Sequence, residues 1–197
     1  MRFHAPFTFV AFVLAAFLVG GIADARADQP QTTLRVHVET GAQGSPGGVA
    51  TLNQLTFRFR FADHFYADAV GKSGHVLGSS NYENQFYVAL AIGPGMSTGE
   101  SLDSWEFRLS PRFTHVHHAT TASWRDTPFA NALGDSDGGV EHRSGLELAL
   151  GATAPRLGSI RSYRMIWSAD IIGNYLPSSD VMKFGIGAVV GFSLSRN

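Results

Sequence analysis

Two-residue alternation between apolar and polar side chains is the feature that most restricts what this chain can fold into. The stretch LTFRFRF, which begins at Leu55, places its phenylalanines on one parity and Arg58 and Arg60 on the other. Successive side chains of a β-strand point to opposite faces of a sheet, so this spacing predicts a strand with one apolar and one charged face. Apolar residues at helical spacing are absent over any useful length. We therefore predict an all-β fold.

The same alternation predicts eight strands. We place them at residues 32–41, 51–61, 65–74, 83–94, 103–117, 139–152, 159–172 and 182–194. The connections after the second, fourth and sixth strands are compact, whereas those after the odd-numbered strands are longer and richer in Gly, Ser, Asn and Asp. The segment from Gly41 to Gly48 is interpreted as a flexible loop. Short turns at one end and longer loops at the other predict an eight-stranded antiparallel up-and-down transmembrane β-barrel.

The N-terminal segment has the pattern of a secretory signal. Arg2 precedes an apolar run from Phe7 to Ile22, and the small residues Ala25 and Ala27 follow it, which predicts cleavage after Ala27. We therefore expect a signal peptide over residues 1–27 and a barrel domain over residues 28–197. The chain has no cysteine and a formal net charge of −1. We expect neither a disulfide framework nor a basic surface for nucleic acid.

Two placements of the alternating faces are open. In an outer-membrane barrel the apolar faces point to lipid and the charged faces to a lumen that side chains fill. In a secreted β-sandwich, or a soluble barrel that binds small apolar ligands, the aromatic side chains point inward. The loop pattern favours the outer-membrane barrel, in which buried charges must pair. The predicted interior charges are Arg35, Glu39, Arg58, Arg60, Glu106, Arg108, Arg112, Glu147, Arg164 and Asp170.

The signal peptide, the eight strands, the segment FRFRFADHFYA and the closing stretch GAVVGFSLS resemble the small eight-stranded outer-membrane β-barrels of bacteria. The resemblance is architectural and covers essentially the whole mature chain. It implies an outer-membrane location, contact with membrane lipid and lipopolysaccharide, assembly by the barrel-insertion machinery and a monomeric state. We therefore expect a structural or surface-interaction protein that needs no cofactor and has no enzymatic activity. The mixed arginines and acids of a lumen too narrow for a wide channel predict that it is not a general porin.

Histidines cluster where the predicted fifth strand ends and the sixth begins. His115, His117 and His118 lie on the fifth strand, and His142 and Ser144 lie on the sixth. Adjacent antiparallel strands bring these groups within reach of each other. The interpretation we favour is that these amphipathic rings lie at the membrane–water boundary. Other residues expected at that boundary are Tyr82, Trp105, Trp124 and Tyr175.

A metal site is a second interpretation of the histidines. His115 and His117 are two residues apart on a strand, so both rings project from the same face, and His142 is able to join from the neighbouring strand. Neutral imidazoles suit zinc, copper or nickel. The sequence DSDGG from Asp135 resembles part of a calcium loop, but it lacks the distal glutamate and is interpreted as a plain turn.

A lipid-modifying enzyme is a third interpretation. The sequence RFTHVHHA is similar to the local pattern of outer-membrane lipid A deacylases, which carry a His-x-Ser pair on the lipid-facing outer rim. Arg112, His115 and Ala119 match that pattern, but His117 occupies the position of the serine. The resemblance therefore implies a hydrolase only if Ser144 or Ser123 supplies a hydroxyl beside the base. The candidate catalytic residues are His115, His117 and Ser144.

Overall fold

Long antiparallel strands dominate the computed structural model, which describes residues 33–78, 84–99, 104–133, 139–155, 159–160, 163–179 and 183–196. The strands are β1 (Thr33–Ser45), β2 (Gly48–Ala62), β3 (Phe65–Gly78), β4 (Gln85–Ser97), β5 (Glu106–Thr120), β6 (Glu141–Thr153), β7 (Ser159–Ile160), β8 (Tyr163–Tyr175) and β9 (Phe184–Arg196). Two short helices, α1 (Thr121–Asp126) and α2 (Pro128–Leu133), lie between β5 and β6. Within the described residues, no helix is both long and apolar enough to cross a membrane.

Pairing between the first and last strands closes the sheet. β1 pairs with β9 from Val36 opposite Leu194 to Gly44 opposite Ile186. β6 pairs directly with β8, and the two-residue β7 lies beside β8 outside the ring. The ring therefore consists of the eight long strands, and the predicted eight-stranded up-and-down barrel is confirmed. The predicted seventh strand, residues 159–172, corresponds to β7 together with most of β8.

The first connection is much shorter than predicted. The segment from Gly41 to Ser45, interpreted from the sequence as loop, belongs to β1 and pairs with β2. Pro46 and Gly47 alone join the two strands, and Gly48 follows with a φ of 134° that only glycine adopts easily. Glycine-rich composition was therefore misleading, because hydrogen bonds from the neighbouring strand hold this backbone extended. The predicted signal peptide, Tyr82 and the segment 134–138 lie outside the described residues.

The barrel has two distinguishable ends. We call the end with the compact Asp63–His64 turn the hairpin end and the end that carries α1 and α2 the helix end. Along β2, Arg58 and Arg60 are at most 4% exposed, whereas Phe59 and Phe61 are 45% and 48% exposed. The charged faces therefore point into the barrel and the aromatic faces point out. A soluble barrel for apolar ligands needs the opposite placement.

The interior contains two chemically different zones. The half near the hairpin end is occupied by charged and polar side chains, including Arg60, Glu106 and Asp68. Toward the helix end, much of the inward face is apolar and forms a buried cluster that the sequence did not predict, beside buried polar side chains such as His118 and Gln43. Its members are Ala50, Leu52, Val76, Tyr87, Val116, Ala149, Ile172, Leu176 and Val189. These residues have the same strand parity as the charges, so the charges and the apolar cluster share one inward face.

Candidate functional site

A network of ion pairs fills the charged half of the barrel. Asp68 lies at its centre, where it accepts two hydrogen bonds from Arg58, at 2.8 and 2.9 Å, and a third from Arg112 at 2.6 Å. Arg112 also donates to Glu147 at 3.0 Å, and Lys72 forms a further ion pair with Glu147. All five side chains are at most 5% exposed. Charges as deeply buried as these require partners, and each has at least one.

Two further groups extend the network along the wall. Arg35 and Arg60 both pair with Glu106, the former at 3.3 Å. Arg108 pairs with Asp170 at 2.5 Å and also donates to Thr153. With the central network, these groups place every predicted interior charge in an ion pair except Glu39 and Arg164.

The remaining two predicted charges are placed differently. Glu39 is 3% exposed and accepts hydrogen bonds from Gln54 at 2.5 Å and Ser168 at 2.8 Å, so neutral donors contact its carboxylate. Arg164 lies in β8, where its backbone pairs with Ser159 and Ser195. The side chain of Arg164 is outside what the structure describes.

Sequence reasoning missed Asp68 and Lys72, because β3 shows only weak apolar alternation. The two-residue alternation of β3 would have identified both side chains, because it places them on the inward face. Tyr66, Asp68, Val70 and Lys72 alternate with small residues and are all buried, as the inward face of a strand requires. Tyr66 also supports the network, since the Arg58 guanidinium lies 4.3 Å from the centre of its ring and its hydroxyl is 2.6 Å from Ser110 Oγ.

A second polar site lies on the outward face of β5 and β6 at the helix end. Backbone register places His117 directly opposite His142 and His115 directly opposite Ser144. The ring centroids of His117 and His142 are 4.4 Å apart, and those of His115 and His117 are 4.8 Å apart. One ring nitrogen from each of the three histidines lies within 4.8 Å of the other two. We call these three residues the rim cluster.

A continuous row of short contacts runs through the rim cluster. His115 Nδ1 is 2.7 Å from Ser144 Oγ, and His115 Nε2 is 2.9 Å from His117 Nε2. His117 Nδ1 is 3.2 Å from the carbonyl oxygen of Ala132 in α2. A carbonyl oxygen accepts only, so His117 Nδ1 carries the hydrogen of a neutral ring and its Nε2 presents a lone pair to His115.

The two short helices hold that carbonyl in place. Trp124 in α1 donates to the Phe86 carbonyl on β4 at 2.7 Å. Asn131 in α2 is fully buried and donates to Ser123 Oγ at 3.0 Å, while Thr127 donates to the Ser123 carbonyl at 3.0 Å. These bonds tie α2 to α1 and α1 to the barrel wall. Side-chain hydrogen bonds therefore attach the described residues 121–133 to the barrel wall beside the rim cluster.

The remaining candidates at the helix end lie apart from the rim cluster. Ser144 is the hydroxyl that contacts His115, whereas Ser123 accepts a hydrogen bond from Asn131. His118 is 1% exposed, points inward, and lies 3.0 Å from Gln85 Oε1 and 3.4 Å from Glu141. Glu141 also pairs with Arg143 at 2.6 Å. The carboxylate of Glu141 therefore belongs to a group around His118.

Comparison with known proteins gives likenesses of structure only. No protein-family model matches the chain, and no curated protein matches its sequence. The N-terminal β-barrel domain of Pseudomonas aeruginosa OprF is similar over 83% of this chain and 99% of that domain, with 13% identity and a TM-score of 0.46. Ail, the attachment invasion locus protein of Yersinia pestis, is similar over 86% of this chain and 99% of Ail, with 12% identity and a TM-score of 0.42.

Proposed function

We propose that the chain is an outer-membrane β-barrel with a structural or surface-interaction role and without a general pore. The observation that carries this proposal is the combination of an apolar outer wall and a filled interior. Among the described residues, the outward face exposes large apolar side chains on every long strand, for example Leu90 at 58%, Phe107 at 58% and Ile186 at 74%. Apolar exposure around the whole wall is unusual for a soluble monomer, on which the largest apolar patch typically covers only about 300–600 Å².

The apolar outer wall is more stable in contact with lipid than in contact with water. A wall of exposed Phe, Leu and Ile is costly in water but is stable against acyl chains, and a closed barrel leaves no unpaired strand edge in the bilayer. With the N-terminal end of β1 on the periplasmic side, β5 runs outward and the helix end faces the outside of the cell. The rim cluster and the two helices then lie at the external membrane boundary, where lipopolysaccharide is the surrounding lipid.

The interior supports the exclusion of a wide pore. An eight-stranded barrel has room for little more than its own side chains. Here buried ion pairs and the apolar cluster around Leu52, Ile172 and Leu176 both occupy the inward space. An ion crossing the barrel would have to separate charge pairs and then pass through an apolar segment.

Two measurements test this proposal together. The folded protein should require detergent for extraction and should migrate differently on gels before and after boiling. In planar lipid bilayers it should show no large, stable conductance. Recovery of the mature protein in the soluble periplasm would exclude the membrane location, and porin-sized conductance would exclude a filled interior.

A lipid-modifying hydrolase is the second candidate, and the 2.7 Å contact between His115 Nδ1 and Ser144 Oγ favours it. With His117 as the acceptor for His115 Nε2–H, His115 Nδ1 is free to take the proton of the serine hydroxyl as its oxygen attacks an ester carbonyl. The protonated His115 would give that proton to the departing alcohol oxygen as the ester bond breaks, which leaves the acyl chain on Ser144. Water, deprotonated by His115, would then release the chain as a fatty acid. Incubation with lipid A or phospholipid should release fatty acid, and both Ser144→Ala and His115→Ala should stop the release. Activity that survives either change excludes this role.

A further inference from the structure

The convergence of three imidazoles in the rim cluster is more specific than a position at the membrane boundary requires. Boundary rings need only an apolar side and a polar tip. Here one nitrogen of each ring lies within 4.8 Å of the other two, and the Nδ1 atoms of His115 and His117 contact Ser144 and Ala132. The three histidines come from two adjacent strands, so the wall of the barrel fixes their spacing.

The contact between His115 Nε2 and His117 Nε2 admits two arrangements. A neutral ring has one N–H and one lone pair, and the Ala132 carbonyl fixes the lone pair of His117 on Nε2. Either His115 donates its hydrogen to that lone pair, or both Nε2 atoms present lone pairs and a cation lies between them. In the second arrangement His115 Nδ1–H donates to Ser144 Oγ. The second arrangement engages one nitrogen of each of the three rings.

The distances suit a small divalent ion. Two nitrogen ligands of a tetrahedral zinc ion, each about 2.0–2.1 Å from the metal, lie about 3.3–3.4 Å apart. The His115–His117 nitrogen pair, at 2.9 Å, is slightly inside this value, and the limit of 4.8 Å for the whole cluster is outside it. Zinc binding therefore requires the rings to rotate until their nitrogens reach that spacing, and the side chain of His142 is exposed on this face.

The outer contacts are those that metal-binding histidines make. Such a ring almost always donates its second N–H to a carboxylate, a backbone carbonyl or water, which fixes its tautomer and orientation. His117 has the Ala132 carbonyl for this purpose, and His115 has the Ser144 hydroxyl. The buried Asn131 and its bonds to α1 hold the segment that presents Ala132.

We propose that His115, His117 and His142 form a binding site for a divalent transition metal of the zinc class on the outward face at the helix end. Three imidazole ligands suit zinc, copper and nickel. They leave the fourth position of a tetrahedral ion open to water or to another ligand. The site goes beyond the structural role proposed above, because neither the fold nor the lipid contact of the barrel requires it.

The test uses the full mature protein, refolded in detergent without a polyhistidine tag, stripped with a chelator, loaded with zinc and desalted. Wild type should retain about one zinc ion per chain by elemental analysis, and cobalt should give the visible absorption of a tetrahedral site. His117→Gln and His142→Gln should each lose both signals. His64→Gln is the matched control, since His64 is an exposed histidine at the hairpin end, and it should retain them.

Ser144→Ala separates metal binding from the hydrolase. Loss of an outer hydrogen bond weakens metal affinity by about 10–100-fold, so this variant should still bind zinc at high concentration. Heat-dependent gel mobility shows whether each variant has folded, and it keeps failure of this site distinct from failure of the barrel proposal. Zinc retained equally by wild type and by the triple His→Gln variant, or by neither, would overturn the metal site.

Discussion

Arg112 is the side chain whose removal should damage the barrel interior most clearly. It donates to Asp68 at 2.6 Å and to Glu147 at 3.0 Å, and its side chain is fully buried. Hydrogen bonds between charged groups contribute about 1.5–3 kcal/mol each, so the two bonds together represent about 3–6 kcal/mol. Asp68 keeps Arg58 and Glu147 keeps Lys72, which reduces the penalty for the carboxylates left behind. We expect Arg112→Met to lower the free energy of unfolding by about 3–5 kcal/mol.

Denaturant unfolding in lipid vesicles, followed by tryptophan fluorescence, measures this change. Arg125→Met is the matched control, because the Arg125 side chain is 76% exposed and pairs with the neighbouring Asp126 in α1; it should change stability by less than about 0.5 kcal/mol. A double-mutant cycle of Arg112→Met with Glu147→Gln should give a coupling energy of about 0.5–3 kcal/mol. The reasoning is refuted if Arg112→Met matches the control, or if the two interior changes are additive.

Three further changes probe the apolar cluster, the close packing and the outer wall. Leu176→Ala removes a fully buried member of the apolar cluster and should cost about 2–5 kcal/mol in denaturant unfolding; no measurable cost would mean that the cluster is loosely packed. Gly95→Ala places a methyl group against the Tyr66 ring and should lower the denaturant midpoint. Gly71→Ala is the control, because its methyl group meets no atom within 4 Å, and it should leave the midpoint unchanged. Equal midpoints for the two variants would contradict the close approach of the Tyr66 ring to Gly95. Leu148→Arg puts a charge on the outward face of β6. If this position lies near the bilayer midplane, the change should lower the free energy of unfolding in lipid vesicles by about 2–4 kcal/mol. An unchanged free energy of unfolding would argue against lipid at that wall.

Strand content and the separation of apolar from charged side chains onto opposite faces follow from the sequence, because a β-strand alternates faces every residue. The stretch from Leu55 to Phe61 shows this pattern plainly, and the structure buries Arg58 and Arg60 as the pattern requires. The same rule predicts that His115 and His117 project from one face, with His142 able to join them, and the structure brings the three rings together there. Alternation is a local property, so local sequence is enough to predict it.

Pairing between strands is not local, because it depends on how distant segments align in the closed sheet. The register sets His115 opposite Ser144 and His117 opposite His142; a shift of one residue would have placed each ring against a side chain of the other face. Other features depend on distant residues in the same way. Pairing with β2 extends β1 to Ser45, and the barrel brings Arg112 to Asp68. The chain between β5 and β6 brings the Ala132 carbonyl to His117. A sequence specifies which side chains share a face, but the partner that each one meets there depends on how the strands align when the barrel closes.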